Sequence, residues 1–116
     1  MRFDLIDLRL FCDVVEAGSI TRGAERAALA LAAASTRIRA MEQSLGASLL
    51  TRSRQGVTPT PAGVLLLKHA RALLEQSARM QDELGVMAES GAAEVRVLAN
   101  TNALTEFLPE ALSSFL

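Results

Sequence analysis

The stretch from Gly18 to Gly46 constrains the fold most, because it predicts two helices joined by a short turn. Ser19 precedes the first helix, where its hydroxyl can accept a hydrogen bond from an unpaired backbone N–H. Gly46 follows the second helix, where a left-handed residue usually caps the C-terminus. The second helix has an apolar stripe with steps of four, three and four residues, formed by Ala34, Ile38, Met41 and Leu45.

The face of the second helix opposite this stripe carries small, hydroxylated and cationic side chains: Ala32, Ser35, Thr36 and Arg39. A helix with such a face can enter the major groove of DNA. The alternative is an ordinary helical hairpin with a solvated face, since short helix pairs are common. The residues of this stretch alone leave both interpretations open.

The flanking segments extend the pair into a mainly α fold, a winged helix-turn-helix. Residues 4–17 predict a preceding helix, which gives a three-helix core. Residues 49–51 and 57–59 suit two short strands around a turn, which would form a β-hairpin wing. Arg54 stands at the tip and Arg52 beside it, where arginines can reach phosphates or a narrow minor groove. A solvated surface turn is the alternative.

A long helix follows the predicted wing. Thr60 and Pro61 supply a hydroxyl cap and a proline at the first helical position, and the pattern continues to Ala88. Such a helix is about 40 Å long, more than a three-helix core can cover. We therefore expect its stripe to bind a second copy of the chain, although a further domain could cover it instead. The stripe has heptad-like spacing and consists of Leu66, Ala70, Leu73, Ser77, Met80, Leu84 and Met87.

The last part of the chain, residues 90–116, has a different residue pattern from the long helix. Residues 90–92 predict a hinge, residues 94–99 alternate in the manner of a strand, and residues 104–116 suit a short helix. One strand and one helix do not fold alone, so we expect them to begin an incomplete α/β domain. The sequence thus predicts a DNA-binding domain over residues 1–60, a linker helix over 61–90 and the start of a further domain over 91–116.

Charge and composition exclude several classes of protein. The net charge is −1, but residues 22–54 hold six arginines against two glutamates, so a basic front can face a polyanion. Cys12 is the only cysteine, which suits a reducing compartment, and no stretch approaches a membrane span, so we expect a cytoplasmic protein without a membrane partner. With no phosphate-binding loop and no Cys/His cluster, we expect no enzyme, no metal site and no cofactor.

Four motifs in order resemble the N-terminal part of LysR-type transcriptional regulators. They are Gly-Ser-Ile-Thr at 18–21, Ile-Arg-Ala-Met-Glu at 38–42, Leu-Gly at 45–46 and Thr-Pro-Ala-Gly at 60–63. Each motif alone is weak, but the four together are highly specific. The resemblance implies a winged helix-turn-helix, a dimerising linker helix and an effector domain like periplasmic binding proteins. It further implies sequence-specific binding to double-stranded DNA, a homodimer with tetramers in the full-length protein, and a small-molecule effector.

The resemblance also implies roles for individual residues. The recognition helix would run from about Leu31 to Leu45 and lie in the major groove, with Ser35 facing DNA. Thr21 matches a frequent phosphate contact. Positions 52–56 match the wing, where the residues expected on phosphate or the minor groove are Arg52, Arg54 and Gln55.

One departure from the family concerns base readout. A polar tripeptide is frequent where this chain has Ala30-Leu31-Ala32, and an arginine is common at the position of Thr36. The remaining side chains can contact thymine methyl groups through Ala32 and Ala33 and form single hydrogen bonds through Ser35 and Thr36. We therefore expect shape and phosphate contacts to contribute much of the affinity. A winged helix that dimerises without reading DNA is the alternative function.

Overall fold

The computed structural model describes residues 2–90 as four helices and one hairpin. This arrangement confirms the mainly α, winged helix-turn-helix prediction. The hinge residues after Ser90 and the strand and helix expected over 94–116 lie outside the described residues, and Ser90 itself ends the last helix. The elements are α1 (Leu5–Ala17), α2 (Ile20–Arg26), α3 (Leu31–Leu45), β1 (Leu50–Ser53), β2 (Gly56–Pro59) and α4 (Pro61–Ser90).

Helix α1 begins and ends with well-formed caps. The Asp4 carboxylate accepts from the Asp7 N–H at 2.8 Å, and the Asp4 N–H donates to the Asp7 carboxylate at 3.2 Å, which completes a capping box. Gly18 ends the helix in a left-handed conformation with φ +70°. The helix buries Phe11 and Val14 fully in the main core, so α2 and α3 pack against it.

Gly23 allows α2 to lie very close to α1. A Cβ atom at this position would sit 2.5 Å from the Cα atom of Val14, closer than two carbon atoms can approach without bonding. We expect Gly23→Ala to lower the free energy of unfolding by about 3 kcal/mol, because the helices must move apart. Urea denaturation followed by circular dichroism measures this change.

Gly85 in α4 provides the matched control for that substitution. An added Cβ there meets nothing within 4 Å among the described residues. We expect Gly85→Ala to stabilise the helix by about 0.5–1 kcal/mol, since alanine is the better helix former. Equal effects of the two substitutions would contradict the close approach of α1 and α2.

A tight turn links α2 to α3 and sets the direction of the second helix. Ala28 adopts a left-handed conformation with φ +57°, and the Leu29 N–H donates to the Ala24 carbonyl at 2.9 Å. Helix α3 then buries Ala34, Ile38 and Met41 in the core, as its apolar stripe predicts. The fourth residue of that stripe, Leu45, is 38% exposed, because the helix ends there and the chain turns away at Gly46.

The wing is attached to the helical core by backbone hydrogen bonds. The Val57 N–H donates to the Gly18 carbonyl at 3.0 Å, and Gly56 approaches the same carbonyl so closely that no Cβ fits. Leu49, just before β1, and Leu50, its first residue, enter the main core. The two strands pair antiparallel with Leu50 opposite Pro59 and Ser53 opposite Gly56, which leaves a two-residue turn at the tip.

Helix α4 starts with the predicted cap. The Thr60 hydroxyl accepts from the Gly63 N–H at 3.1 Å and donates to the Ser48 carbonyl at 2.7 Å. Gly63 lies against the Leu49 carbonyl with no room for a Cβ, which explains the glycine in this motif. The helix covers 30 residues, and the first compact unit of the chain extends along it to Leu74.

The first turns of the predicted dimerisation stripe are covered by the chain itself. Ala70 is fully buried in a second cluster with Leu8 and Cys12, and Leu66 packs against the same cluster. Ala70 therefore has no surface with which to contact a second chain, and Ser77, at 8% exposure, has little. Burial raises the pKa of the Cys12 thiol, so this cysteine stays a protonated core residue.

Between residues 2 and 90, the structure contains no helix with the length and apolar character needed to cross a membrane.

Candidate nucleic-acid interface

The outer face of α3 is exposed because the opposite face of the helix is buried in the core. Because Ala34, Ile38 and Met41 lie in the core, the residues between them at helical spacing turn to the surface. Four of the five predicted base-facing residues are exposed, and Ser35 is half-buried. The exposed four are Ala32, Ala33, Thr36 and Arg39. With mostly alanine and hydroxyl side chains, this face presents little bulk to a groove wall.

The Thr36 hydroxyl already donates a hydrogen bond within α3. Its Oγ1 donates to the Ala32 carbonyl one turn earlier, at 2.9 Å. The remaining lone pairs of this oxygen point away from that bond and can accept one from a base amino group. Thr36 therefore presents an acceptor to its surroundings, whereas an arginine would present donors.

Arg37 does not belong to the exposed basic surface. Its guanidinium donates to the Asp7 carboxylate at 2.8 Å and lies 3.5 Å from the Asp4 carboxylate, so it ties α3 to the start of α1. The hydrogen bond to Asp7 raises the pKa of the Arg37 guanidinium. One of the six arginines between residues 22 and 54 is thus neutralised by acidic side chains, on a side of α3 away from most of the predicted base-facing residues.

The wing exposes the three residues predicted to contact phosphate or the minor groove. Arg52 lies within β1 opposite Val57, and Arg54 with Gln55 forms the two-residue turn after Ser53. The Gln55 N–H donates to the Ser53 hydroxyl at 3.2 Å, which helps to define the turn. All three side chains are exposed, and the hairpin that carries them is fixed to the core at its base.

Thr21, the residue predicted to contact phosphate, lies exposed in the first turn of α2. Ser19 caps this helix, since its hydroxyl accepts from the Arg22 N–H at 3.2 Å. The first turn of a helix carries free N–H groups and a partial positive charge, which suits contact with a phosphate. The structure therefore gives Thr21 a position compatible with that role.

Glu42 is a positioning residue whose role the sequence pattern did not predict. Its carboxylate accepts from the Leu49 N–H at 2.8 Å and from the Leu50 N–H and Ser48 hydroxyl at 3.4 and 3.3 Å. These bonds join the end of α3 to the start of β1, so Glu42 positions the wing relative to the recognition helix. Its signals in the sequence were its place at the end of the Ile-Arg-Ala-Met-Glu motif and its acidity inside a basic stretch.

The described residues contain no group of three or more histidine, cysteine or acidic side chains that could hold a metal ion. All the predicted DNA-contacting residues belong to the compact unit that ends at Leu74. The arrangement of this unit offers a slim helix face, a hairpin with two exposed arginines and a helix N-terminus. These are the parts with which winged helix-turn-helix proteins contact a duplex.

Comparisons with known proteins agree with this geometry. The chain is 37% identical over 97 residues to the small neutral protease regulatory protein of Streptomyces coelicolor, covering 84% of this chain and 30% of the relative. It is 35% identical over 112 residues to the SDS degradation transcriptional activation protein of a Pseudomonas species, covering 97% of this chain and 37% of that protein. The chain thus spans less than two fifths of the length of these relatives, one named as a regulatory protein and the other as a transcriptional activation protein.

A solved structure matches the fold as well. The DNA-binding domain of CbnR, in a crystal structure of its complex with DNA, superposes with a TM-score of 0.68 at 32% identity. The match covers 74% of this chain and 99% of that domain. The model of the bacterial regulatory helix-turn-helix proteins of the lysR family matches residues 5–64, just over half of the chain. The chain therefore belongs to the lysR family of bacterial regulatory helix-turn-helix proteins.

Proposed function

We propose that this chain is the DNA-binding part of a sequence-specific transcription regulator. Helix α3 enters the major groove, and the wing lies against phosphates or the minor groove. The observation that carries the proposal is the exposed, small-residue face of α3 in a fold that matches a DNA-bound lysR-family domain. The proposed base-facing residues are Ala32, Ala33, Ser35, Thr36 and Arg39, and those on the backbone or minor groove are Thr21, Arg52, Arg54 and Gln55.

The apolar stripe of α4 makes the regulator a homodimer in this proposal. Leu73, Leu84 and Met87 are 38%, 47% and 60% exposed, and leucines and methionines in a heptad-like row are costly to leave in water. Together with Met80, they form the contact surface that we retain. Leu66, Ala70 and Ser77 are left out because the chain buries most of their surface.

The same proposal divides the chain by role. Residues 1–60 bind DNA, residues 61–90 link and dimerise, and residues 91–116 begin a domain that binds a small-molecule effector in the whole protein. Tetramers form only with surfaces of that larger protein. We further propose that the chain has no catalytic activity, because its family and relatives regulate transcription.

The function is tested by selecting duplexes from a randomised DNA library with the purified chain and sequencing the bound fraction. We expect one enriched motif with two half-sites about 10–10.5 base pairs or a multiple of that spacing apart, because a symmetric pair of recognition helices enters successive turns. Enrichment should persist against excess unrelated duplex. Binding without any enriched motif, or no binding at low salt, would instead support a winged helix that no longer reads DNA.

A further inference from the structure

The segment that leads into α3 lacks any side chain able to form a hydrogen bond. Residues 27–34 are alanine or leucine throughout. Ala30 occupies the cap position of α3 and gives no side-chain cap bond. Leu31, the first residue of the helix, is 48% exposed, and Ala32 and Ala33 are exposed beside it. The end of the helix that would enter the groove first is therefore apolar.

An apolar surface is selective among base pairs in the major groove. The C5-methyl group of thymine is the apolar feature that the bases present there, whereas guanine, cytosine and adenine present hydrogen-bonding groups. Covering those groups with leucine or alanine removes their water and supplies no replacement bond. A thymine methyl group loses water favourably in the same contact.

The polar residues in the first two turns of α3, before Arg39, add little that would favour guanine. The Thr36 hydroxyl donates to the Ala32 carbonyl, so it presents an acceptor outward. The Arg37 guanidinium, a potential guanine reader, is held by Asp7 and Asp4 near α1. Bidentate donors to guanine from the first two turns of the helix are therefore missing.

We propose that Leu31, together with Ala32 and Ala33, reads thymine methyl groups, so that this regulator selects A·T pairs by apolar contact at the start of its recognition helix. The inference rests on the proposed function and goes beyond it, because it assigns a specificity role to Leu31. Leu31 lies one turn before Ser35, and although it also continues the line of the buried Ala34 and Ile38, it is 48% exposed at the start of α3.

The test removes single methyl groups from the DNA. The duplex enriched by the selection above is resynthesised with deoxyuridine in place of one thymine at a time, and binding is measured by fluorescence anisotropy. We expect about a fourfold loss of affinity at one or two thymines in each half-site, the effect of burying one methyl group. Thymines elsewhere in the duplex should show no change.

The protein side of the test uses two variants and a matched control. In Leu31→Ala and Leu31→Gln, at least one sensitive thymine in each half-site should lose its methyl effect, so that replacing it with deoxyuridine changes affinity by less than about 1.5-fold. A thymine contacted by Ala32 or Ala33 should keep its effect. Ile6→Ala removes an aliphatic side chain of similar exposure, 51%, on α1, and should retain the full methyl effect. Thermal melts establish that each variant is folded.

The possible outcomes separate this inference from the function on which it rests. A selected motif made of G·C pairs, or a duplex whose binding survives every methyl deletion, overturns the reading by Leu31 and leaves DNA binding intact. A methyl effect that persists at every sensitive thymine in both Leu31 variants also overturns it. If the chain binds no duplex at low salt, the proposed function itself fails and the inference with it.

Discussion

Replacing Arg52 and Arg54 together by alanine will weaken binding to every duplex, whatever its sequence. Both side chains are exposed on the wing, and the described residues show no acidic group paired with either. Each arginine on a phosphate releases condensed counterions from DNA, so the loss is largest at low salt. We expect the magnitude of the slope of log K against log salt to fall by about 1.8 for each chain bound. The association constant K at about 0.1 M salt should therefore fall about 60-fold for each chain bound. Anisotropy titrations at several salt concentrations measure both.

The control for the wing variant removes the same charge from another element. Arg71 lies 3.6 Å from Glu16 and Arg79 lies 4.0 Å from Glu75, so both arginines of α4 already face an acidic partner. We expect Arg71→Ala with Arg79→Ala to change the salt slope by less than about 0.5. A wing variant that binds as tightly as the wild type, or a control with an equal loss, would remove the wing from the interface.

The local structure of this chain could be predicted because short-range chemistry determines it. Ser19 and Thr60 cap helices through bonds to residues three positions later, and Gly18 and Gly46 end helices in left-handed conformations. Each of these features depends on a few consecutive residues. Sequence patterns therefore identified the four helices and the hairpin of the described region within a few residues.

The features that sequence patterns could not give are contacts between distant residues. Arg37 meets Asp7 thirty positions earlier in the chain, and this pair removes a charge from the basic front. Glu42 reaches the backbone of β1 across the turn after α3. Spacing and composition do not identify the partner of either side chain, because a paired and an unpaired arginine or glutamate look the same in a sequence.

The stripe of α4 shows a related limit. Its heptad-like spacing describes one face of the helix but does not say what covers that face. Ala70 is covered by Leu8 and Cys12 of α1, whereas Leu73 and Leu84 remain exposed. The same pattern therefore serves two purposes along one helix, and only the position of α1 distinguishes them.

Replacing Leu73 and Leu84 by aspartate will convert the proposed dimer into a monomer. In a helix pair, these residues would lie in a contact surface from which water is removed, where two unpaired carboxylates per chain are strongly unfavourable. We expect the dissociation constant of the dimer to rise at least about 100-fold, because each buried unpaired charge costs several kcal/mol. Sedimentation velocity over a range of protein concentrations measures the change. Binding to a duplex with two half-sites should weaken in parallel, since each DNA-binding domain then binds its half-site alone.

The control places the same two charges on the opposite side of α4. Val64 and Val86 are 56% and 66% exposed, and helical spacing puts both about half a turn away from Leu73 and Leu84. We expect Val64→Asp with Val86→Asp to sediment as the wild type does. If the stripe variant remains a dimer while its circular dichroism is unchanged, the contact surface lies elsewhere in the molecule. If the control alone dissociates, the interface is the outer face of α4, and the heptad-like row has another partner.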